Sequence, residues 1–214
     1  PTSLHTSISF YALESAMVSD TLSIDITYQV FAQTPYVDAL GVSQEPERAR
    51  CLTTADAGLL QWGGTEGAED VWYAATEDVA MSGRVTVVGK VNLILCDGAT
   101  LEAPFGIQVG PNAELVIWCQ DGATGALNAG SAEEIYASTL EDMAGIGVTS
   151  ADGAGGVVVN GGVITCYGGK NAAGLGGGLE SGGGTVVVNN GTVTATGAAN
   201  AAGIGGGQDL NCDD

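Results

Sequence analysis

Apolar residues in this chain fall into short runs of β-branched side chains set between glycines and turn residues. Leu22, Ile24, Ile26, Tyr28 and Val30 alternate with polar residues, which puts them on one face of a strand over 22–30. From about residue 71 the pattern predicts strands at 71–74, 79–82, 85–88, 91–95, 100–102, 107–109, 114–118 and 126–128. Gly83-Arg84, Asp97-Gly98, Pro111-Asn112 and Asp121-Gly122 supply the turn chemistry between them. Residues 11–19 suit either a short helix or a strand. Thr34-Pro35 and the segment 41–50, with Pro46 and four charges, read as loop, and Trp62-Gly63 reads as a turn. Residues 130–144 break the rhythm and read as an insertion of one or two helical turns.

The second half of the chain repeats. Gly145-Ile146-Gly147, Gly174-Leu175-Gly176 and Gly203-Ile204-Gly205 recur at a spacing of 29 residues, as do Val157 and Val186, Asn160 and Asn189, Ile164 and Val193, and Ala172 and Ala201. A fixed period of this size marks a stacked supersecondary unit. A unit of short strands separated by glycine, without helical periodicity, is a coil of a β-solenoid. Neighbouring coils then lie about 4.8 Å apart, and equivalent residues form ladders along the axis. The division this predicts is an N-terminal β-rich cap or strand-exchange region over 1–70 and the solenoid over 71–214.

Composition narrows the function. The chain has 214 residues, 45% of them hydrophobic, and 35 glycines without a three-residue rule, which excludes collagen. Twenty-five acidic residues stand against five basic ones, a formal net charge of −20. Such a surface repels nucleic acid and anionic membranes and attracts cations, calcium among them. No apolar run approaches a membrane span. The chain starts at Pro1 without a methionine, as expected of a processed chain or a piece of a longer one.

Cys96 and Cys119 sit in matching phrases, Leu93-Ile-Leu-Cys96-Asp and Val116-Ile-Trp-Cys119-Gln. If the phrases stack, the two sulfurs lie within disulfide range. Two buried free thiols acting as small hydrophobes are the other reading. Cys166 meets Ala195 in the next coil, and Cys51 and Cys212 lie outside the repeats. A single histidine, His5, and no C-x-x-C pair argue against zinc.

Each candidate chemistry has a structural counterpart. The glycine runs after Gly174 and Gly203 lead into no helix, so they read as turns and not as phosphate loops. Gly168-Gly-Lys170-Asn171 lacks the Ser or Thr that a P-loop needs. Asn160 and Asn189 follow equivalent strands and are expected to hydrogen-bond as a structural ladder. Asn190-Gly191-Thr192 is a formal glycosylation acceptor, although a glycine turn explains it equally. Thr192, Thr194 and Thr196 share one face, preceded in the coil before by Val163, Thr165 and Tyr167, so a uniform ice-binding array does not persist. A mixed hydroxyl and aromatic face suits sugar: Trp118, Tyr136, Tyr167, Thr194 and Thr196 are the candidates, with Trp118 alternatively a buried rung residue. Asp97, Asp121 and Asp152 recur at turns and are candidate calcium ligands; a solvated acidic surface accounts for them as well. Catalytic groups are sparse. His5 lies outside the repeats, and Arg84, Lys90 and Lys170 are the repeat region's cations, set in a negative field that repels polyuronates. The expectation is a protein that is not an enzyme.

The strings Asp70-Val-Trp-Tyr-Ala-Ala, Gly83-Arg-Val-Thr-Val and Val91-Asn-Leu-Ile-Leu-Cys-Asp-Gly-Ala-Thr-Leu, followed by Gly125-Ala-Leu and the Ala-Ala-Gly-Ile-Gly-Gly-Gly repeats, resemble bacterial secreted and cell-surface right-handed β-helix modules. These are pectate-lyase-like in fold and of carbohydrate-binding or adhesin type. The resemblance covers residues 70–207. It implies an all-β, single-stranded right-handed parallel β-helix, extracellular and non-catalytic, whose partner is a polysaccharide or cell-surface glycan. The alternative is a fibre subunit joined by end-to-end stacking or by donation of the 22–30 strand to a neighbour's open edge.

Overall fold

The computed structural model describes residues 29–64, 70–131, 142–149, 153 and 155–209. The strand expected at 22–30 lies outside them apart from its last two residues, as do His5, Cys212 and most of the 130–144 insertion.

Strands β1 (Phe31–Val37) and β2 (Ser43–Leu52) form an antiparallel hairpin. A 3-10 turn at Thr54–Asp56 leads on to the coils. Three strands then recur in turn: β3 (Gln61–Gly63), β4 (Val71–Ala75) and β5 (Val79–Ala80); β6 (Val85–Val88), β7 (Lys90–Leu95) and β8 (Thr100–Ala103); β9 (Ile107–Val109), β10 (Glu114–Cys119) and β11 (Ala126–Ala129); β12 (Ile146–Gly147), β13 (Gly156–Val159) and β14 (Val163–Tyr167); β15 (Leu175–Gly176), β16 (Thr185–Val188) and β17 (Thr192–Thr196); and finally β18 (Ile204–Gly205).

Each strand from β6 onward pairs in parallel with the strand three places before it, so the chain builds three sheets side by side. The longest runs β1-β2-β4-β7-β10-β13-β16, the second β5-β8-β11-β14-β17 and the third β3-β6-β9-β12-β15-β18. The fold is all-β with parallel sheets, an arrangement compatible with a β-solenoid. The 29-residue phrases stack in register: Val157 on Val186, Ile164 on Val193 and Leu175 on Ile204.

Alternation explains the core. On each strand every second side chain points between the three sheets. Leu93, Leu101, Ile107, Leu115, Leu127, Ile146, Ile164 and Leu175 fill that interior. At the first coil the space is filled by larger groups. Trp62 is fully buried and stacks on Tyr73 with ring centroids 5.6 Å apart, and the Tyr73 hydroxyl accepts from the Gly63 amide at 3.1 Å. The last coil differs. Val186, Val193 and Ala195 are only partly buried, and Val187, Val188 and Ile204 are 38%, 46% and 49% exposed. On the third sheet Gly147 and Gly176 sit at φ 142° and 133°, and a Cβ on either would overlap a backbone oxygen of the following coil. Glycine is therefore the residue that permits the closest coil contact.

Two segments differ from expectation. Residues 41–50, read as loop, are mostly strand β2. Pro35 and Pro46 fall where the hairpin register shifts, between the pairs Thr34↔Glu47 and Tyr36↔Gln44. A bulge tolerates the missing amide that would break a regular ladder. Trp62-Gly63, read as a turn, is strand β3, which pairs with β6.

The predicted stacking of Cys96 on Cys119 also fails. The register pairs Cys119 with Leu95 and Leu93 with Ile117, one residue out of step with the matched phrases. A slip of one residue moves a side chain to the other face. Cys96 packs with Ala49, Ala74, Ile94 and Ala99 on the outside of the long sheet, whereas Cys119 follows the inward positions Leu115 and Ile117. Both are buried free thiols, as are Cys51 and Cys166.

Candidate functional site

The second sheet presents an outer face made mostly of polar residues. Leu101, Ala103, Leu127, Ala129, Ile164 and Cys166 point inward, so the residues between them point out. Register places Ala80, Glu102, Asn128, Thr165 and Thr194 in one row across β5, β8, β11, β14 and β17. Within the row Asn128 donates from Nδ2 to Glu102 Oε1 at 2.7 Å, which orients both side chains. Tyr167 and Thr196 form a second pair beside it, and Val163 and Thr192 a third. At the β5 end lies a depression of about 320 Å³ lined by Asp78, Val79, Ala80, Thr100 and Glu102. Asp78 is fixed there by accepting from the Thr100 amide at 2.8 Å. None of the five strands carries a lysine or arginine; Lys170 lies three residues beyond Tyr167, in the turn after β14.

Three of the predicted sugar-binding residues, Tyr167, Thr194 and Thr196, thus come together. Trp118 does not join them. It lies on the outer face of the long sheet, under the hairpin, with its ring 5.0 Å from Tyr36 and 6.1 Å from Trp72, while Tyr36 stands 5.1 Å from Trp72. Its Nε1 donates to Oδ1 of the buried Asn92 at 3.0 Å. The aromatic trio docks the hairpin, so Trp118 is neither an inward rung nor part of the polar face. Tyr136 lies outside the described residues.

Among the predicted calcium ligands, Asp152 lies outside the described residues. Asp97 has a structural role: Oδ2 accepts from the Gly122 amide at 2.9 Å, and Oδ1 from the amide and hydroxyl of Thr124 at 3.1 and 3.2 Å. It pins the turn of the next coil. Asp97 and Asp121 border a hollow of about 250 Å³ between that turn and the hairpin residues Tyr36 and Ser43. No group of three His, Cys, Asp or Glu side chains suited to a metal ion occurs among the described residues. Asn160 and Asn189 are joined, Asn189 Nδ2 donating to Asn160 Oδ1 at 2.8 Å.

Arg84 and Lys90 are both engaged. Arg84 is partly buried, its Nη1 donating to the carbonyls of Phe105 and Ala144 at 3.0 and 2.9 Å, and desolvation lowers its pKa to about 10. Lys90 lies 3.5 Å from both Asp70 and Glu114. No helix among the described residues is long and apolar enough to cross a membrane.

Sequence reasoning did not find Glu102 and Asn128. Their signal is weak because the coils differ in length before the 29-residue repeats begin, and only the strand register lines them up with Thr165 and Thr194. Tyr36 and Trp72 were missed because their partners are distant in the chain. No family model, no curated protein and no solved structure matches this chain.

Proposed function

We propose that the chain is a non-catalytic, extracellular surface module that binds a glycan along the outer face of the second sheet, and that its coil is right-handed, as parallel strand crossovers are. The observation that carries this reading is the in-register row Glu102–Asn128–Thr165–Thr194, flanked by Tyr167 and Thr196. Amide, carboxylate and hydroxyl groups at a regular axial step suit the hydroxyls of a polymer laid along the axis, and a tyrosine ring can stack on the apolar face of a pyranose while its hydroxyl stays wet. The net charge of −20 favours neutral or cationic sugars over polyuronates. Lyase chemistry has little support, since the Arg84 donors already serve backbone carbonyls and Lys90 lies between two carboxylates.

The test is a glycan array followed by titration of the best ligand against Tyr167→Ala and Thr194→Val. Both positions point outward, so the variants are expected to fold and to lose binding by tenfold or more, on the order of one to two hydrogen bonds or a ring stack. An array with no ligand, or variants that bind like the parent chain, would overturn the reading.

End-to-end association is a second reading, favoured by the exposed Val187, Val188 and Ile204 on the last coil. Light scattering across a concentration series tests it: growth into regular filaments supports assembly, and a monomer at every concentration rejects it.

A further inference from the structure

We infer that Asn190 is a site of spontaneous covalent modification, losing its side-chain ammonia to become aspartate and isoaspartate, while the other Asn-Gly pair of the repeats, Asn160-Gly161, is protected. Asn190 is exposed in the turn between β16 and β17, and the residue after it, Gly191, has no side chain to hinder approach and sits at φ 96°. The Gly191 amide donates to Asn190 Oδ1 at 2.8 Å, so the backbone nitrogen already lies against the carboxamide of the preceding residue.

The chemistry needs only water. The Gly191 nitrogen gives up its proton and attacks Asn190 Cγ, forming an N–C bond. The Cγ–Nδ2 bond breaks and ammonia leaves, which closes a five-membered imide. Water then opens the ring at either carbonyl: one opening gives aspartate on the original backbone, the other isoaspartate with the backbone routed through the side chain. No oxidant or enzyme enters, and the net change is one water consumed and one ammonia released.

Asn160 has the same following residue but a different setting. It is 4% exposed, and its Oδ1 accepts from Asn189 Nδ2 at 2.8 Å. Its backbone amide is also tied, donating to Ile117 O at 2.8 Å. The Asn160 carboxamide must leave its bond to Asn189 to turn toward the Gly161 nitrogen, and the tied Asn160 amide resists the backbone shift that ring closure needs. Breaking one hydrogen bond of ordinary strength slows the reaction by about five- to tenfold, and loss of both by more.

The position matters because the turn feeds β17 in register. The Thr192 amide donates to Gly162 O at 2.9 Å, and Thr192 pairs with Val163. Isoaspartate inserts one extra backbone atom just before that bond, and either product adds a negative charge close to Thr192.

The experiment is to incubate the intact chain at mildly alkaline pH, digest samples over time and follow the mass gain from replacing NH2 by OH at each asparagine. Electron-transfer fragmentation distinguishes aspartate from isoaspartate. Asn190 is expected to convert first, at least about fivefold ahead of Asn160, with matching ammonia release, and Asn190→Gln is expected to abolish the leading product. Unfolding the chain in urea is expected to bring the two rates together, because both sequences are Asn-Gly. Equal rates in the folded chain, Asn160 reacting first, or an unchanged mass gain in Asn190→Gln would each overturn the assignment.

Discussion

Asn189 donates to Asn160 at 2.8 Å across 29 residues of sequence, one coil step along the axis. The bond sits at the corner where β13 turns toward β14 and β16 toward β17. Asn160 is the buried member and Asn189 the exposed one. Asn160→Ala is therefore expected to destabilise the chain by about 1–2 kcal/mol, and Asn189→Ala by less, because water can replace the amide that leaves the surface. Urea titrations of the two variants check the order.

The hairpin hangs on Tyr36, whose ring packs against both Trp72 and Trp118. Its replacement by alanine removes two aromatic contacts, worth about 1–3 kcal/mol together. Amide exchange is expected to quicken across β1 and β2 while the strands from β6 to β14 keep their protection. Uniform loss of protection across all strands would mean that the hairpin and coils unfold as one unit.

Much of the coil was legible in the sequence. The bounds of β6 and β9 follow directly from apolar alternation between turn residues, and the 29-residue period fixed the later register, since identical phrases stack on one another. Legibility failed where a match in turn chemistry competed with strand register. Cys96-Asp97-Gly98 and Cys119-Gln120-Asp121-Gly122 look alike, yet Gln120 adds a residue to the second turn, and the strands align Cys119 with Leu95. The hairpin was hidden for a different reason. Prolines and charges disfavour a central strand but are tolerated in a bulged strand pair lying on the outside of a sheet. The polar face was half visible: Tyr167, Thr194 and Thr196 lie in the regular repeats, whereas Glu102 and Asn128 precede them.

The glycines of the third sheet give a graded prediction. Gly147 and Gly205 occupy equivalent places at φ 142° and 136°, but only Gly147 has a following coil against it. Gly205→Ala is expected to cost about 1–3 kcal/mol, mainly from backbone strain, with its Cβ 3.3 Å from that of Ala202. Gly147→Ala adds overlap with the Gly176 backbone and is expected to cost more, enough to lower the melting temperature further than any other single change described above. Thermal melts of both proteins, side by side, test the gradient.

Alkaline pH offers a separate check. Burial among apolar side chains raises the Cys166 thiol from 9.0 to about 12. The neutral thiol is the form the folded chain favours, so its contribution is complete below pH 9. It is lost as pH rises toward about 12, where the unfolded chain ionises more readily than the folded one. Stability is expected to fall across that window, and Cys166→Ala, which copies Ala195 of the next coil, is expected to flatten the slope relative to the parent chain. Equal slopes in the two proteins would show that the thiol ionises alike in the folded and unfolded states.

The in-register pairing of β13 with β16, β14 with β17 and β15 with β18 makes this molecule a ruler with discrete graduations. Adding or deleting one 29-residue unit moves everything beyond it by about 4.8 Å and alters no contact inside the neighbouring units. Reach along the axis can thus change by whole steps through duplication of a short stretch of gene. The hairpin and its aromatic trio, which depend on partners far apart in the chain, cannot be copied in this way and stay fixed at the zero mark.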